Sequence, residues 1–309
     1  MCSIRKRHPG VWPALVLSLL CCFGASAAGG DGCTAIFTAD TEGHVGPCRE
    51  CPYHPGLGGL TRRATSLAQL RKEQPDLLLV DAGNALIGAE SLESKGKVIV
   101  AAYNALGYDA VNLCHRDLWF GKAETLALLK DAKFAPISAN LLNEENGRPL
   151  FKPYIVKEIS GQRIAILGVA QAPAGIDFLP HLKEHLAGIH IDPPVKALAN
   201  WLPKAKAESD QVILLYYGPV SGLEMIQEKF AADFAAILVG GIRPEYLPPN
   251  TKPSLVGTSN HGRHLAKIRF TRAGTEEKPE VTEIAIEPTI KTDPDMEKVL
   301  APFTKSVTR

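Results

Sequence analysis

Apolar runs alternate with amphipathic stretches along most of the 309-residue chain. Residues 35–37 form an apolar run of the kind that makes a buried strand, and the carboxylate of Asp40 follows it. Farther on, apolar residues recur at the spacing of one helix face. These are Leu60, Ala64, Leu67 and Leu70. A strand, a loop and a helix therefore open the chain, as in α/β proteins.

The alternation of predicted strands and helices continues beyond this first unit. The predicted strands are residues 77–80, 110–113, 136–139, 212–216, 235–239, 254–257, 265–271 and 281–286, with a hairpin made of 154–159 and 163–169. The predicted helices are residues 98–106, 124–130, 195–207 and 223–230, besides the one that begins at Leu60 and ends before Pro75. This order predicts an α/β fold of two sheets with helices outside them.

Polar side chains follow three of these strands. Asp40 and Glu42 follow the first, Asn84 follows the second, and Cys114 and His115 follow the third. Ligands of α/β sheets bind beyond the carboxyl ends of the strands, so we expect the functional site there. Two other acidic residues near these ends, Asp81 and Asp117, are expected to hydrogen-bond the loop backbone.

The loop after the first strand contains the motif Cys48-x-x-Cys51. This spacing suits a redox dithiol, half of a zinc site or a local disulfide, and the sequence leaves all three open. Attachment of c-type haem needs a histidine directly after the second cysteine, and Pro52 stands there, so no haem is expected. His44 and His54 flank the loop and suit surface positions as well as ligand roles.

Cys114 is the second candidate thiol. A lone cysteine is more often an inert buried thiol. Beside His115, which would lower the pKa of the thiol, Cys114 becomes a candidate nucleophile or an exchange partner for the Cys48 loop. For His261 and His264, near the end of the chain, packing is the favoured role.

The first residues have the pattern of a secretory signal. Arg5, Lys6 and Arg7 precede an apolar run that ends near Ala27, so we expect residues 1–27 to be a signal peptide and 28–309 one domain. The run is too short for a membrane span, and the residues before each early cysteine argue against lipidation. Without residues 1–27 the net charge is near −2, so no nucleic-acid partner is expected. The expected location is periplasmic or secreted.

Several segments together resemble the metallophosphoesterase domain of periplasmic 5′-nucleotidases and UDP-sugar hydrolases. They are residues 38–40, 77–84, His115, 138–141, 151–154, 164–168, 256–257 and 261–262. The Cys48-x-x-Cys51 loop and the residues from Gly58 to Thr65 are similar more particularly to the UshA-like (seleno)protein branch. The resemblance implies a four-layer αββα sandwich, two mixed sheets flanked by helices, with a two-metal site at the strand ends.

The resemblance also implies that most metal ligands of the family are replaced. Asp40 is kept, but Glu42 stands at a histidine position and Asn84 at the position of the bridging aspartate. Cys114 takes the place of an asparagine ligand, and Tyr216 that of a histidine. The family's Gly-His-x-His motif corresponds to residues 241–244, which contain no histidine.

Two functions are therefore expected, and a non-catalytic binding scaffold with a structural disulfide is a third class that the sequence leaves open. The first is an exported protein of this fold with a degenerate dinuclear site, acting through Cys48, Cys51 and Cys114, with His115, in redox chemistry with a thiol partner or in metal binding. One weakly bound divalent ion, Zn, Mn or Mg, is expected on Asp40, Glu42 and Asn84. The alternative is a metal-dependent phosphoric-ester hydrolase with an altered ligand set, acting on a nucleotide or another phosphoester.

Overall fold

The computed structural model describes residues 32–48, 56–172, 174, 180–249, 254–258, 261–271 and 279–304. These residues belong to one compact unit. The predicted signal peptide and Cys51 lie outside the described residues. None of the helices in the described ranges is long and apolar enough to cross a membrane.

The first sheet has six strands in the order β13-β12-β1-β2-β3-β4. Their bounds are β1 Gly32–Thr38, β2 Leu78–Asp81, β3 Ala110–Asn112, β4 Ala135–Ile137, β12 His264–Thr271 and β13 Glu280–Ala285. β1 to β4 are parallel, whereas β12 pairs in antiparallel fashion with β1 on one side and with β13 on the other. The carboxyl ends of β1, β2 and β3 therefore meet at one edge.

The second sheet has five strands in the order β11-β10-β9-β7-β6. Their bounds are β6 Tyr154–Ile159, β7 Gln162–Ala170, β9 Gln211–Tyr217, β10 Ala236–Gly240 and β11 Ser254–Gly257. β6 and β7 form the predicted antiparallel hairpin, and β7, β9, β10 and β11 are parallel. A separate antiparallel pair joins β5 Leu141–Asn143 to β8 Ile189–Ile191.

Seven α-helices connect or follow these strands in the described ranges. They are α1 Leu60–Glu73, α2 Lys97–Leu106, α3 Gly121–Leu128, α4 Pro180–His185, α5 Pro194–Glu208, α6 Val220–Phe230 and α7 Pro294–Thr304. A short 3₁₀ helix, His115–Leu118, follows β3 directly. The sequence pattern predicted neither α4 and α7 nor the short strands β5 and β8; β5 and β8 have three residues each and α4 has six, which is too few to show a period.

The two large sheets pack face to face through one apolar core. Phe37 of β1 and Val80 of β2 lie in this core with Ile166 of β7 and Leu215 of β9. Because strand side chains alternate between faces, the neighbours of these residues point outward. The inner core therefore takes every second residue of the central strands.

The outward residues pack against helices. Ile36 and Leu79 lie in a cluster with apolar residues of α1, α2 and α7. On the other sheet, Leu167 and Leu214 pack against α5 and α6. The layers are thus helices, sheet, sheet and helices, which confirms the predicted αββα sandwich.

Candidate functional site

The loops that follow β1 and β2 are joined by backbone hydrogen bonds. The Asp40 amide donates to the Gly83 carbonyl at 3.0 Å, and the Glu42 amide donates to the Asn84 carbonyl at 2.8 Å. The Gly43 amide continues the series with the Ala85 carbonyl, at 2.9 Å. This ladder holds the side chains of Asp40, Glu42 and Asn84 at one place.

The close approach of the two loops depends on Gly88. A Cβ atom on this residue would lie 1.7 Å from the carbonyl oxygen of Glu42. Any side chain at position 88 would therefore push the Glu42 backbone away and break the ladder.

The Asn84 side chain hydrogen-bonds two carboxylates and the guanidinium group of Arg116. Its Nδ2 group donates to Asp40 Oδ1 at 2.8 Å and to Glu42 Oε1 at 3.3 Å. Its Oδ1 atom accepts a hydrogen bond of 3.0 Å from Nε of Arg116. The three residues predicted as metal ligands therefore meet, but here they form a hydrogen-bonded network that ends on a guanidinium. Their role as ligands stays a prediction.

Asp40 is bonded on both carboxylate oxygens. Its Oδ2 atom accepts the backbone amide of Gly241 at 2.7 Å, opposite the Asn84 bond to Oδ1. Burial raises the pKa of Asp40 above its usual value, and the bonds from Gly241 and Asn84 offset part of this rise. Neutral N–H donors thus occupy the oxygens that the family uses for a metal ion.

Asp117 fixes the loops after β2 and β3 to each other. Its carboxylate accepts the backbone amides of Asn84, Ala85, Leu86 and Cys114, at 2.9 to 3.1 Å. This confirms the prediction that Asp117 satisfies loop backbone. Asp81 has the same role, because its Oδ1 accepts the Gly83 amide at 2.8 Å.

Cys114 is a buried, free thiol with no exposed surface. Its Sγ atom lies 3.3 Å from Asp117 Oδ2, and burial together with the Asp117 charge raises the pKa of the thiol well above its usual value. His115 is also buried, and burial with the Arg116 charge lowers its pKa to about 4. A neutral imidazole does not lower the pKa of the thiol as the sequence argument required. The structure thus favours the inert alternative for Cys114.

Tyr217, not Tyr216, faces the site from β9. The Tyr217 ring packs with Cys114 and Ala170 and lies 5.9 Å, between centroids, from the His115 ring. Tyr216 points into the outer core, and its hydroxyl donates to the Pro219 carbonyl at 2.7 Å. The predicted correspondence of Tyr216 with a ligand histidine was therefore wrong by one residue, which moves a side chain to the other face of a strand.

Cys48 is disulfide-bonded in the structure. The other described cysteines, Cys33 and Cys114, are not part of that bond, so its partner lies outside the described residues. The Cys48 amide donates to the Leu57 carbonyl, and the Cys48 carbonyl accepts the Gly56 amide, both at 2.8 Å. The base of the cysteine loop is therefore anchored on both sides of Cys48.

Glu42, His44 and His261 form a cluster on the solvent side of this network. One potential ligand atom from each lies within 4.8 Å of the others. Nε2 of His261 is 3.2 Å from Glu42 Oε2, and the two imidazole centroids are 4.3 Å apart. Burial acts to raise the pKa of Glu42, but the hydrogen bond to His261 and the charges of His261, Arg116 and His44 together outweigh it, so the pKa is lowered.

Backbone strain is concentrated at the same place. Of the six described non-glycine residues with positive φ, four meet here: Asp40, Glu42, Asn84 and His261, at 47° to 59°. This conformation costs of order 1 kcal/mol for a residue with a Cβ atom. The His261 amide is held by the Asp40 carbonyl at 2.6 Å, which joins the two strained segments.

The sequence assigned His44 no preferred role and His261 a packing role, and it did not single out Arg116. His44 and His261 come from distant parts of the chain, so no local spacing relates them.

Comparisons with known proteins agree with this architecture. No family model matches the sequence. The chain is 27% identical to rat 5′-nucleotidase over 229 residues, which cover 69% of this chain and 38% of the rat protein. It therefore spans about two fifths of the length of that relative.

Two solved structures show the fold. Sulfate thiohydrolase SoxB from Thermus thermophilus matches 89% of this chain and 61% of its own, with a TM-score of 0.74 and 16% identity. The calcineurin-like phosphoesterase YfkN from Bacillus subtilis matches 89% of this chain and 97% of its own, with a TM-score of 0.72 and 20% identity. The architecture is that of the calcineurin-like metallophosphoesterases.

The chain is similar in sequence to 5′-nucleotidases and has the fold of the metallophosphoesterase family. The narrower UshA-like branch is not tested by these relatives and stays a prediction.

The described residues do not fit the two-metal centre of this family. Two cations 3.5–4 Å apart need several anionic or imidazole ligands. Here Asn84 turns its NH₂ group to the carboxylates, and the Cys114 thiol is buried against Asp117. Tyr217 fills the strand end with a phenol whose pKa burial raises.

Proposed function

We propose that this chain is an exported metallophosphoesterase-fold protein that does not hydrolyse phosphoesters with two metal ions and instead exchanges disulfides at Cys48. The orientation of the Asn84 side chain supports the absence of two-metal hydrolysis. An amide that donates to Asp40 and Glu42 cannot bridge two cations, and the Arg116 guanidinium on its other side repels them.

The position of Cys48 supports the proposed disulfide exchange. The disulfide-bonded residue lies in the loop between β1 and α1, beyond the carboxyl end of a strand, where α/β proteins bind their ligands. We infer that Cys51, three residues on, is the partner. The hydrogen-bonded backbone of Cys48 would keep its sulfur in place during exchange.

The exchange step balances with an external dithiol as the second reactant. One thiolate of that dithiol attacks a sulfur of the Cys48 bond, forms a mixed disulfide and releases the other sulfur as a thiolate. The second thiolate of the partner then breaks the mixed disulfide. Two electrons pass to this chain, and the partner ends as a disulfide; the reverse sequence oxidises the partner.

A glutathione titration of the Cys48 couple, followed by mass-spectrometric mapping of alkylated cysteines, tests the thiol function. We expect a potential in the range of exchanging dithiols, above about −300 mV, and loss of exchange in Cys48→Ser. A reduction potential below about −300 mV, together with a Cys48→Ser variant that loses only stability, would identify a structural disulfide.

The second candidate is a metal-dependent phosphoester hydrolase with altered ligands, and the Glu42, His44 and His261 cluster is the observation that favours it. Phosphate release from nucleotide monophosphates with Mn, Mg, Zn or Co decides between the two. We expect no turnover above background. Robust metal-stimulated turnover that is lost in Asp40→Ala would replace the proposal with this candidate.

A further inference from the structure

Glu42, His44 and His261 present a ligand set that differs from the family's own. One carboxylate and two imidazoles surround a small volume, with ligand atoms within 4.8 Å of one another. The side chains of Glu42 and His261 are each 28% exposed and that of His44 is 24% exposed, so an ion from solvent can reach them. Carboxylate oxygen and imidazole nitrogen are ligands for divalent transition metals.

The spacing suits a single tetrahedral ion. Metal–ligand bonds of about 2.0–2.1 Å place the ligands of a tetrahedral zinc about 3.3 Å apart. Nε2 of His261 and Oε2 of Glu42 already lie 3.2 Å apart. The ligand atom of His44 lies within 4.8 Å of both, so a small shift of this half-buried side chain would complete the set.

A second carboxylate, that of Glu90, lies close to His44. Glu90 Oε1 lies 3.9 Å from Nδ1 of His44, and Glu90 Oε2 is fixed by the amides of Val45 and Gly46 at 2.6 and 2.7 Å. A carboxylate behind one ring nitrogen is the usual partner of a metal-binding histidine. This contact leaves Nε2 of His44 for the ion.

The neighbouring network excludes the ion from the Asp40 side. Both Asp40 oxygens accept N–H donors, and Arg116 places its positive charge beside Asn84. A cation is therefore repelled from the Asn84 end and meets its ligands at Glu42.

We propose that Glu42, His44 and His261 bind one divalent transition-metal ion, with Zn²⁺ as the best fit, and leave the fourth position to water. This site lies beside the Asp40 network rather than within it, and two of its three ligands come from positions that the family's two-metal centre does not use.

Titration of the oxidised protein with Zn²⁺, followed by calorimetry, tests the site without any activity assay, and the oxidised state keeps Cys48 from competing as a ligand. We expect one equivalent to bind, and Glu42→Gln, His44→Gln and His261→Gln each to weaken binding about tenfold or more. His190→Gln is the matched control, because His190 is an exposed histidine on β8 that pairs with Asp192. It should bind as the wild type does.

The Asp40→Asn variant tests whether the ion binds at this site or at the alternative site predicted from the sequence, which consists of Asp40, Glu42 and Asn84. Retained Zn²⁺ binding in this variant supports the proposal. Loss of binding there, with His44→Gln and His261→Gln unaffected, would overturn it. Electron paramagnetic resonance of the Cu²⁺-loaded wild type requires no variant: coupling to imidazole nitrogen supports the site, and its absence, or the absence of any stoichiometric binding, overturns it.

Discussion

Asn84 donates a hydrogen bond of 2.8 Å to Asp40, at the place where the family resemblance puts a carboxylate that bridges two metal ions. The amide also reaches Glu42 at 3.3 Å, so one neutral group separates two acidic ones. Replacing a carboxylate by an amide removes a negative charge from this site. The carboxylates of Asp40 and Glu42 can then lie close together without a metal ion between them.

Asn84→Asp should therefore destabilise the metal-free protein. Three carboxylates would crowd together, and their repulsion would raise the folded-state pKa of one of them above about 3.9. A raised pKa means that the stability is greatest at low pH and falls as the pH rises. We expect a loss of about 1–3 kcal/mol at pH 8 and less at pH 5, by chemical denaturation in EDTA.

Asn146→Asp is the matched control for this substitution. Asn146 is exposed, and its Oδ1 atom accepts the Arg148 amide, which a carboxylate would also do. Equal losses in the two variants would contradict the charge argument.

Cys114 should resist alkylation in the folded protein and react once Tyr217 is removed. The thiol has no exposed surface and packs directly against the Tyr217 ring. Tyr217→Ala would open a cavity beside it, at a cost of about 3–5 kcal/mol. We expect much faster labelling of Cys114 in this variant, measured by mass spectrometry after a short pulse of iodoacetamide.

Tyr216→Ala controls for destabilisation, because Tyr216 is buried on the opposite face of β9. Labelling of Cys114 that increases equally in both variants would show that general opening, rather than loss of the covering ring, exposes the thiol.

Arg63 should contribute strongly to stability. The residue is 1% exposed, and its guanidinium donates to the Tyr108 hydroxyl at 3.1 Å and to Thr41 at 3.2 Å. Arg63→Met would leave these partners and the nearby Asp81 uncompensated in the core, at a cost of about 3–5 kcal/mol. Urea denaturation measures this loss.

Arg62→Met on the same helix is the comparison for Arg63. Arg62 donates to the Gly56 carbonyl from a partly exposed position, so roughly 1 kcal/mol is expected. Similar costs for the two variants would mean that the buried network is not an important source of stability.

Asp81 should make stability depend on pH. Burial raises its pKa to about 7, although bonds from Thr38, Gly83 and Tyr103 and the Arg63 charge oppose the rise. The unfolded residue has a pKa of about 3.9, so the folded state binds the proton more tightly. This contribution to stability is fully present below about pH 4 and is lost as the pH rises through about 7.

Asp81→Asn should therefore flatten the dependence of unfolding free energy on pH between 4 and 7.5, whatever its absolute cost. Glu93→Gln, at an exposed position, should leave the dependence unchanged. An unaltered slope in Asp81→Asn would mean that Asp81 stays ionised across this range.

The sequence by itself determined the layers of this protein and the location of its site. Alternation along segments such as 35–38 and 164–169 decides which residues face the inner core, because strand side chains alternate with a period of two. The parallel order of strands then brings Asp40, Asn84 and Cys114 to one edge, as predicted. Short elements such as β5 and α4 escaped prediction because they carry too few residues to show a period.

Only the tertiary structure decided what these residues do to one another. The pairing of His44 with His261 joins residues more than two hundred positions apart, and the face of β9 decides that Tyr217 rather than Tyr216 covers Cys114. The direction of the Asn84 amide depends on where Arg116 lies. Contacts of this kind depend on distances between separate loops, which no spacing along the chain records.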